Sequence, residues 1–225
     1  MITFENVSKF YNAHPALDDV SLTIAQGEFI SIVGQSGAGK STLLKLLLAE
    51  EKASEGKVTL DGKDVAAISQ RELPFFRRRI GTIFQDFKLL TQKTAYENIA
   101  FAMEVSGRSK KEIQEDVPQI LQLVGLEQKA HQFPRQLSGG EQQRVAIARA
   151  LVHQPDIIIA DEPTGNLDPL NTWDVIRLLT KINELGTTII LATHDREIIN
   201  TINKRVVSLD KGKVIRDEQG GRYIL

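Results

Sequence analysis

Residues 29–41 read FISIVGQSGAGKS, an apolar run followed by two glycines with four residues between them and then Lys and Ser. That spacing is the phosphate-loop pattern, and it requires a strand on its N-terminal side and a helix on its C-terminal side. Both are legible: FISIV has the length and composition of a buried strand, and the leucines of KSTLLKLLLAEE (40–51) fall at helical spacing. The chemistry follows from the geometry. Backbone N–H groups of a glycine-rich turn and of the helix start converge on an anion. Gly34, Ser36, Gly37, Ala38, Gly39 and Thr42 are expected to line it, with Lys40 reaching the β and γ phosphates and the Ser41 hydroxyl reaching Mg²⁺. The bland alternative is a glycine-rich turn capping an ordinary helix, and it leaves the flanking pattern unexplained.

Upstream and downstream of this loop the chain alternates. ITFENV, VSLTI and KVTLDG read as strands, the last ending in an Asp-Gly turn. Residues 94–124 instead read as two helices with no strand between them, so a small helical subdomain is expected to interrupt an α/β core. Pro118 in the second of these should kink it or mark its first turn. From residue 139 onward helix and strand alternate again, with the short apolar runs IIIA (157–160) and TIILA (188–192) typical of strands covered on both faces. A mostly parallel sheet flanked by helices is the expected architecture.

Bulk composition narrows the function classes. A chain of 225 residues with 41% hydrophobic and 25% charged residues has room for one compact unit. Lys plus Arg (28) nearly balances Asp plus Glu (29), so no global field draws the chain to nucleic acid. Absence of cysteine excludes disulfides and thiolate metal sites, and fits a reducing compartment. The start, MITFENVSKFY, has no signal-peptide layout, and no stretch approaches the ~18 apolar residues of a spanning helix. Anything done at a membrane would need a partner to hold the chain there.

Two further motifs carry chemistry. The strand IIIADE (157–162) ends in Asp161 and Glu162, at the kind of strand end where open α/β sheets bind ligands. Asp161 can hold Mg²⁺ in its outer shell, and Glu162 can take a proton from, or orient, an attacking water. Taken alone, such a pair is more simply a solvated strand terminus; beside a phosphate loop the functional reading is the better one. LSGGEQ (137–142) places Ser138, Gly139 and Gly140 at a helix start, which makes either a second anion site or a plain capping box between Ser138 and Glu141. The cluster Arg77-Arg78-Arg79 reads as a solvated face at the end of a short helix. His14, His131 and His153 have no functional context.

LSGGEQQRVAIARAL resembles the signature motif of ABC (ATP-binding cassette) ATPases, IIIADEPTGNLD their catalytic strand and D-loop, IFQDF (83–87) their Q-loop, and LATHD (191–195) their H-loop, all in the family's order. The resemblance implies the P-loop NTPase fold of ABC ATPases. It implies a single domain over 1–225, with a RecA-like core and an antiparallel β part at about 1–85 and 155–225, and the helical subdomain with the signature at about 86–154. It implies ATP and Mg²⁺ as ligands, and a homodimer in which ATP is sandwiched head-to-tail. In that scheme Gln85 contacts Mg²⁺ and the water, Glu162 is the base, and His194 contacts the γ-phosphate. Tyr11 stacks on adenine, Ser138 and Gly140 bind the γ-phosphate across the interface, and Asp168 links the two sites. Tyr11 read alone is a half-buried strand aromatic, and His194 read alone is an ordinary core or surface histidine.

Within the family, KTAYENIAFAMEV, the double Glu50-Glu51 and the C-terminal RDEQGGRY resemble the cell-division branch. That branch implies an FtsX-like integral membrane subunit as partner, no nucleic acid, peripheral placement on the cytoplasmic face of the bacterial membrane, and control of cell-wall hydrolases outside it. Lipoprotein-release or efflux ATPases are the rival branch, and soluble ABC proteins acting on ribosomes or DNA a remoter one. Phe87, Leu89, Leu90 and Tyr96, following Gln85, are candidates to receive a short partner helix.

Overall fold

The computed structural model describes residues 1–12 and 14–222; Tyr223, which closes the RDEQGGRY stretch, lies outside the described residues. Two sheets organise the chain. The first is antiparallel, in the order β2-β1-β4-β5, built from β1 (Ile2–Tyr11), β2 (His14–Ile24), β4 (Glu55–Leu60) and the two-residue β5 (Lys63–Asp64). Ile2 pairs with both Ile24 and Leu60, so the apolar positions of three strands share one face.

The second sheet has the order β10-β9-β3-β8-β7-β6. Its members are β3 (Phe29–Val33), β6 (Ile80–Phe84), β7 (Ile157–Asp161), β8 (Thr188–Ala192), β9 (Arg205–Asp210) and β10 (Lys213–Glu218). All neighbours are parallel except β10, which folds back antiparallel on β9. β3 and β8 are buried at every residue, as their unbroken apolar runs require. Strand β10, with alternating half-exposed positions, has no such run and was not legible as a strand.

Helix α1 (Lys40–Leu47) buries Leu43, Leu44, Leu46 and Leu47 between the sheets, at roughly 1.5–3 kcal/mol each. That anchors its N-terminus at the carboxyl end of β3. Between β6 and β7 the regular structure among the described residues is helical: α3 (Ala95–Val105) and α4 (Lys110–Leu123), joined by a short turn, and α5 (Gly139–Leu151), reached through a longer connection with two 3-10 turns. Each of the three starts with a full capping box, on Thr94, Ser109 and Ser138. Pro118 lies well inside α4, so it does not mark the first turn. Helices α6 (Pro169–Glu184) and α7 (Arg196–Ile202) complete the alternation.

The arginine cluster lies at the surface, as expected, but it does not cap its own helix. α2 (Leu73–Arg78) ends in these residues, but the Arg77 side chain donates to the carbonyls of Leu48 (3.1 Å) and Ala49 (3.2 Å), capping α1 rather than its own helix. Arg79 pairs with Asp61 (2.5 Å) and Asp156 (2.7 Å). Only carbonyls orphaned at the end of another helix and nearby carboxylates, neither visible in a local pattern, explain the difference.

Candidate functional site

Four adjacent parallel strands, β3, β8, β7 and β6, end at one edge of the second sheet, and each delivers one part of the site. β3 runs into the glycine-rich loop, β8 into His194, β7 into Asp161 and Glu162, and β6 into Gln85. The register keeps these ends level: Phe84 lies opposite Asp161, and Asp161 opposite Ala192. Together they line a cavity of about 820 Å³ with Gln35, Ser36, Gly37, Ala38, Gly39, Lys40, Ser41 and Thr42, joined by Ala16 and Arg196.

The loop is shaped for close approach. Gly39 precedes α1 with φ 107°, and a Cβ there would stand 2.6 Å from the carbonyl oxygen of Ala16, so glycine is required twice over. α1 has no side-chain cap, which leaves its first N–H groups facing the cavity. Lys40 is 9% exposed, and its ammonium donates to the carbonyls of Gly34 (2.8 Å) and Gln35 (3.2 Å). A buried ammonium with two acceptors curled around it is held in place for an anion beside the loop.

Opposite the loop sit the carboxylates. The Ser41 hydroxyl donates to Asp161 Oδ2 at 3.4 Å. Burial, and then the neighbouring Glu162 charge, push the Asp161 carboxyl above the ordinary range against the pull of Ser41 and Lys40. Two adjacent carboxylates in a partly buried place fit a divalent cation. The cavity offers it the oxygens of Ser41, Asp161 and Gln85, few enough that Mg²⁺ would need substrate phosphates and water to complete its shell.

Glu162 holds a left-handed backbone, φ 48°, with its N–H bonded to Ala192 O at 2.9 Å. For a residue other than glycine this costs about 1–3 kcal/mol, strain that collects at functional positions. Its Oε1 lies 2.7 Å from His194 Nδ1. A carboxylate can only accept, so Nδ1 carries the hydrogen of this bond, which orients the ring. Gln85 is fixed by a reciprocal pair with Asn166: Gln85 Nε2 donates to Asn166 Oδ1 (3.3 Å), and Asn166 Nδ2 to Gln85 O (3.0 Å).

Other expected residues lie apart. Ser138, Gly139, Gly140 and Asp168 do not line the cavity. Ser138 Oγ accepts from Glu141 N (3.2 Å) and Glu141 Oε2 accepts from Ser138 N (2.8 Å), so the capping box is formed. Gly140 is buried, and a Cβ on it would collide with the Asn171 side chain. Asp168 caps α6 through Asn171 N (3.0 Å), a bond that, with the Asn171 side-chain amide, holds its carboxyl below the usual range. Tyr11 also lies outside the cavity lining, but it bonds Glu51 and Thr42, and Thr42 is part of that lining. Of the candidate docking residues, Leu89 and Tyr96 are half-buried and pack on the core. The backbone of Leu90 is held by the fully buried Asn98, at 2.8 and 3.1 Å.

Sequence reasoning missed Asn166, Asn171, Arg149 and the buried Gln143. The partners of Asn166, Arg149 and Gln143 come from distant segments that no local pattern announces, while Asn171 bonds the nearby Asp168. For Asn166 and Asn171 a signal existed in their places on either side of Asp168.

Comparison with known proteins agrees with this geometry. A family described as ABC transporter matches residues 17–165. The cell division ATP-binding protein FtsE of Bacillus subtilis is 52% identical over 224 residues, spanning 99% of this chain and 98% of that protein. FtsE of Mycobacterium tuberculosis is 50% identical over 225 residues, with 99% and 98% coverage. A methionine import ATP-binding protein, MetN 2 of Bacillus anthracis, is 46% identical, but the match covers only 66% of its length. Among solved structures, a dimeric post-hydrolysis state of the ATP-binding cassette MJ0796 with ADP and Pi superposes with a TM-score of 0.87 at 38% identity, covering 99% of this chain and all of that one.

Proposed function

This chain belongs to the ABC transporter family, and from that premise we propose that it is the ATP-hydrolysing subunit of a bacterial cell-division complex of the FtsE kind. It would work beneath an FtsX-like integral membrane subunit. The observation that carries the chemistry is the convergence of four strand ends on one cavity, bringing Lys40, Ser41, Gln85, Asp161, Glu162 and His194 together.

In this reading the loop N–H groups and Lys40 hold the β and γ phosphates, and Tyr11 stacks on the base. Ser41, Asp161 and Gln85 would hold Mg²⁺, which when bound screens the phosphate charge. Glu162 accepts the proton of the attacking water, and it must leave His194 Nδ1 or share the bond to do so. His194 Nε2 then faces the γ-phosphate, where a proton on the ring makes it a donor. Ser138, Gly139, Gly140 and Asp168 act on the cavity of a second copy in a head-to-tail homodimer. The helical part at about 86–154 moves as a unit against the rest, and that motion is what the membrane partner receives.

Among the described residues no helix is long and apolar enough to cross a membrane, so a place on the cytoplasmic face would depend on the partner. Near-complete mutual coverage at half identity supports the cell-division branch, because sequence shared beyond the catalytic motifs includes whatever surface meets the partner. The test is a pull-down of the tagged full chain with Mg-ATP from detergent-solubilised bacterial membranes, with identification of the integral protein retained. An FtsX-type protein is expected. A lipoprotein-release or efflux permease instead would move the chain to that branch and leave the catalytic reading standing.

A further inference from the structure

Gln85 sits on the turn that follows β6, and its position depends on what grips that turn. Asn166 binds Gln85 itself, and two further grips, on the residues to either side of it, come from α5. Upstream of Gln85, Gln143, 0% exposed, donates from Nε2 to Phe84 O (3.4 Å) and to Pro163 O (2.6 Å), one residue past Glu162. Downstream, Arg149 donates from Nη1 to Lys88 O (2.5 Å) and from Nη2 to Phe87 O (3.1 Å).

The downstream grip is chemically unusual. Arg149 is half-buried, no ion pair of the described residues involves it, and burial alone pulls its pKa down. A guanidinium placed in such surroundings must be satisfied by hydrogen bonds, and here two carbonyls supply them. Both carbonyls belong to residues in the left-handed region, Phe87 at φ 58° and Lys88 at φ 50°. Neither residue is glycine, so each conformation is sterically disfavoured and needs its surroundings to hold it. The flat fork of arginine, with two parallel N–H donors, fits two successive carbonyls that this turn presents side by side.

We infer that Arg149 is a positioning residue for Gln85: its fork fixes the 87–88 turn and thereby ties the placement of Gln85 in the cavity to the orientation of α5. Arg149 and Ser138 stand eleven residues apart on this helix, about 16 Å along its axis. A displacement felt at Ser138 reaches the Gln85 turn through one rigid element and two hydrogen bonds. The inference rests on the role proposed for Gln85.

The experiment is a double-mutant cycle with Q85A, R149M and the double variant, with R149K alongside, reading kcat and KM for ATP and the thermal midpoint of each purified full chain. Q85A and R149M should each lower kcat by about ten- to a hundredfold with KM changed less than about twofold, the cost of a misplaced group rather than of lost binding. The double variant should fall no further than the worse single one. R149K, able to reach one carbonyl without a fork, should recover part of the rate. If R149M does not fold, R149K in the wild-type and Q85A backgrounds completes the same cycle. R149M at the wild-type rate beside an impaired Q85A overturns the inference, as does a double variant whose losses multiply. Q85A at the wild-type rate overturns the role of Gln85 itself.

Discussion

Helices α1 and α5 both start on glycines, but α1 leaves its N-terminus without a side-chain cap, whereas α5 closes its own with Ser138 and Glu141. The open end of α1 is set in a cavity beside an ammonium and across from two carboxylates, so this chain by itself holds every charge a nucleoside triphosphate and its cation need. At α5, the third N–H of the helix is taken by Ser138 Oγ, and Glu141 adds a negative charge close by. What remains for an anion there is the hydroxyl hydrogen of the exposed Ser138 and the first N–H groups, on the half-buried Gly139 and the buried Gly140. In this chain the uncapped start of α1 opens into a cavity, whereas the capped start of α5 would need another copy to complete a site.

The largest effect should separate chemistry from binding. Glu162→Gln keeps a hydrogen-bonding side chain but cannot take up a proton, so phosphate release should fall by about 10²–10⁴-fold with ATP affinity retained. Unhydrolysed ATP would then bridge α1 of one copy and α5 of another. Light scattering should find a dimer of this variant with Mg-ATP and a monomer without; a monomer in both states removes α5 from the site. Next in size is Lys40→Ala, which takes away the full charge at the α1 end. Affinity for a fluorescent ATP analogue should drop about a hundredfold, the scale of one or two charged hydrogen bonds. Undiminished binding would mean that the loop N–H groups suffice.

The same contrast explains what was legible in the sequence. The α1 end was readable because strand, glycine turn, lysine and helix are contiguous, and the cavity found there is the one the spacing required. For LSGGEQ the residues allowed both a cap and an anion site, and the structure forms the cap within one chain; the anion site would need a second chain that one sequence read alone does not display. Nor could local pattern place Tyr11, whose hydroxyl partners Glu51 and Thr42 come from segments that only folding brings to β1. Strand β10 escaped because an edge strand needs no apolar run. Arg149 escaped because the backbone carbonyls it binds have no sequence signature.

Ser138 can be changed so that its two roles part. Aspartate caps a helix about as well as serine, so Ser138→Asp should leave the thermal midpoint within about 1 °C of wild type. It also places a negative charge where the γ-phosphate of a second copy would lie, and kcat should fall by about tenfold or more through like-charge repulsion. Ser138→Ala gives the complementary result: a lost cap worth about 1 kcal/mol and a midpoint lower by about 2–4 °C. A Ser138→Asp variant with full activity would reduce the α5 end to a cap and nothing more.

The smallest effect concerns Asp161, where function and stability pull apart. Burial and the Glu162 charge raise its carboxyl pKa in the folded chain, while in the unfolded chain it titrates at its ordinary value. Between those two values the folded protein keeps a proton that the unfolded one has released, so stability falls as pH rises through that window. Above the raised value both forms are ionised, and the penalty stays in full. Asp161→Asn carries no charge at any pH and escapes it. Without nucleotide at pH 7, the variant should therefore melt roughly 1–2 °C above wild type, a gain kept small because water still reaches the half-buried carboxylate. As the pH is lowered past the ordinary aspartate range, wild-type Asp161 becomes neutral too, and the two midpoints should converge. Addition of Mg-ATP should reverse the order at pH 7, since only wild type offers the cation a carboxylate beside Ser41. Scanning calorimetry over pH with and without Mg-ATP checks all three points. A variant less stable than wild type at pH 7 would mean that the Ser41 bond outweighs burial, and that the carboxylate end of the cavity is a settled ion site rather than one strained toward a ligand.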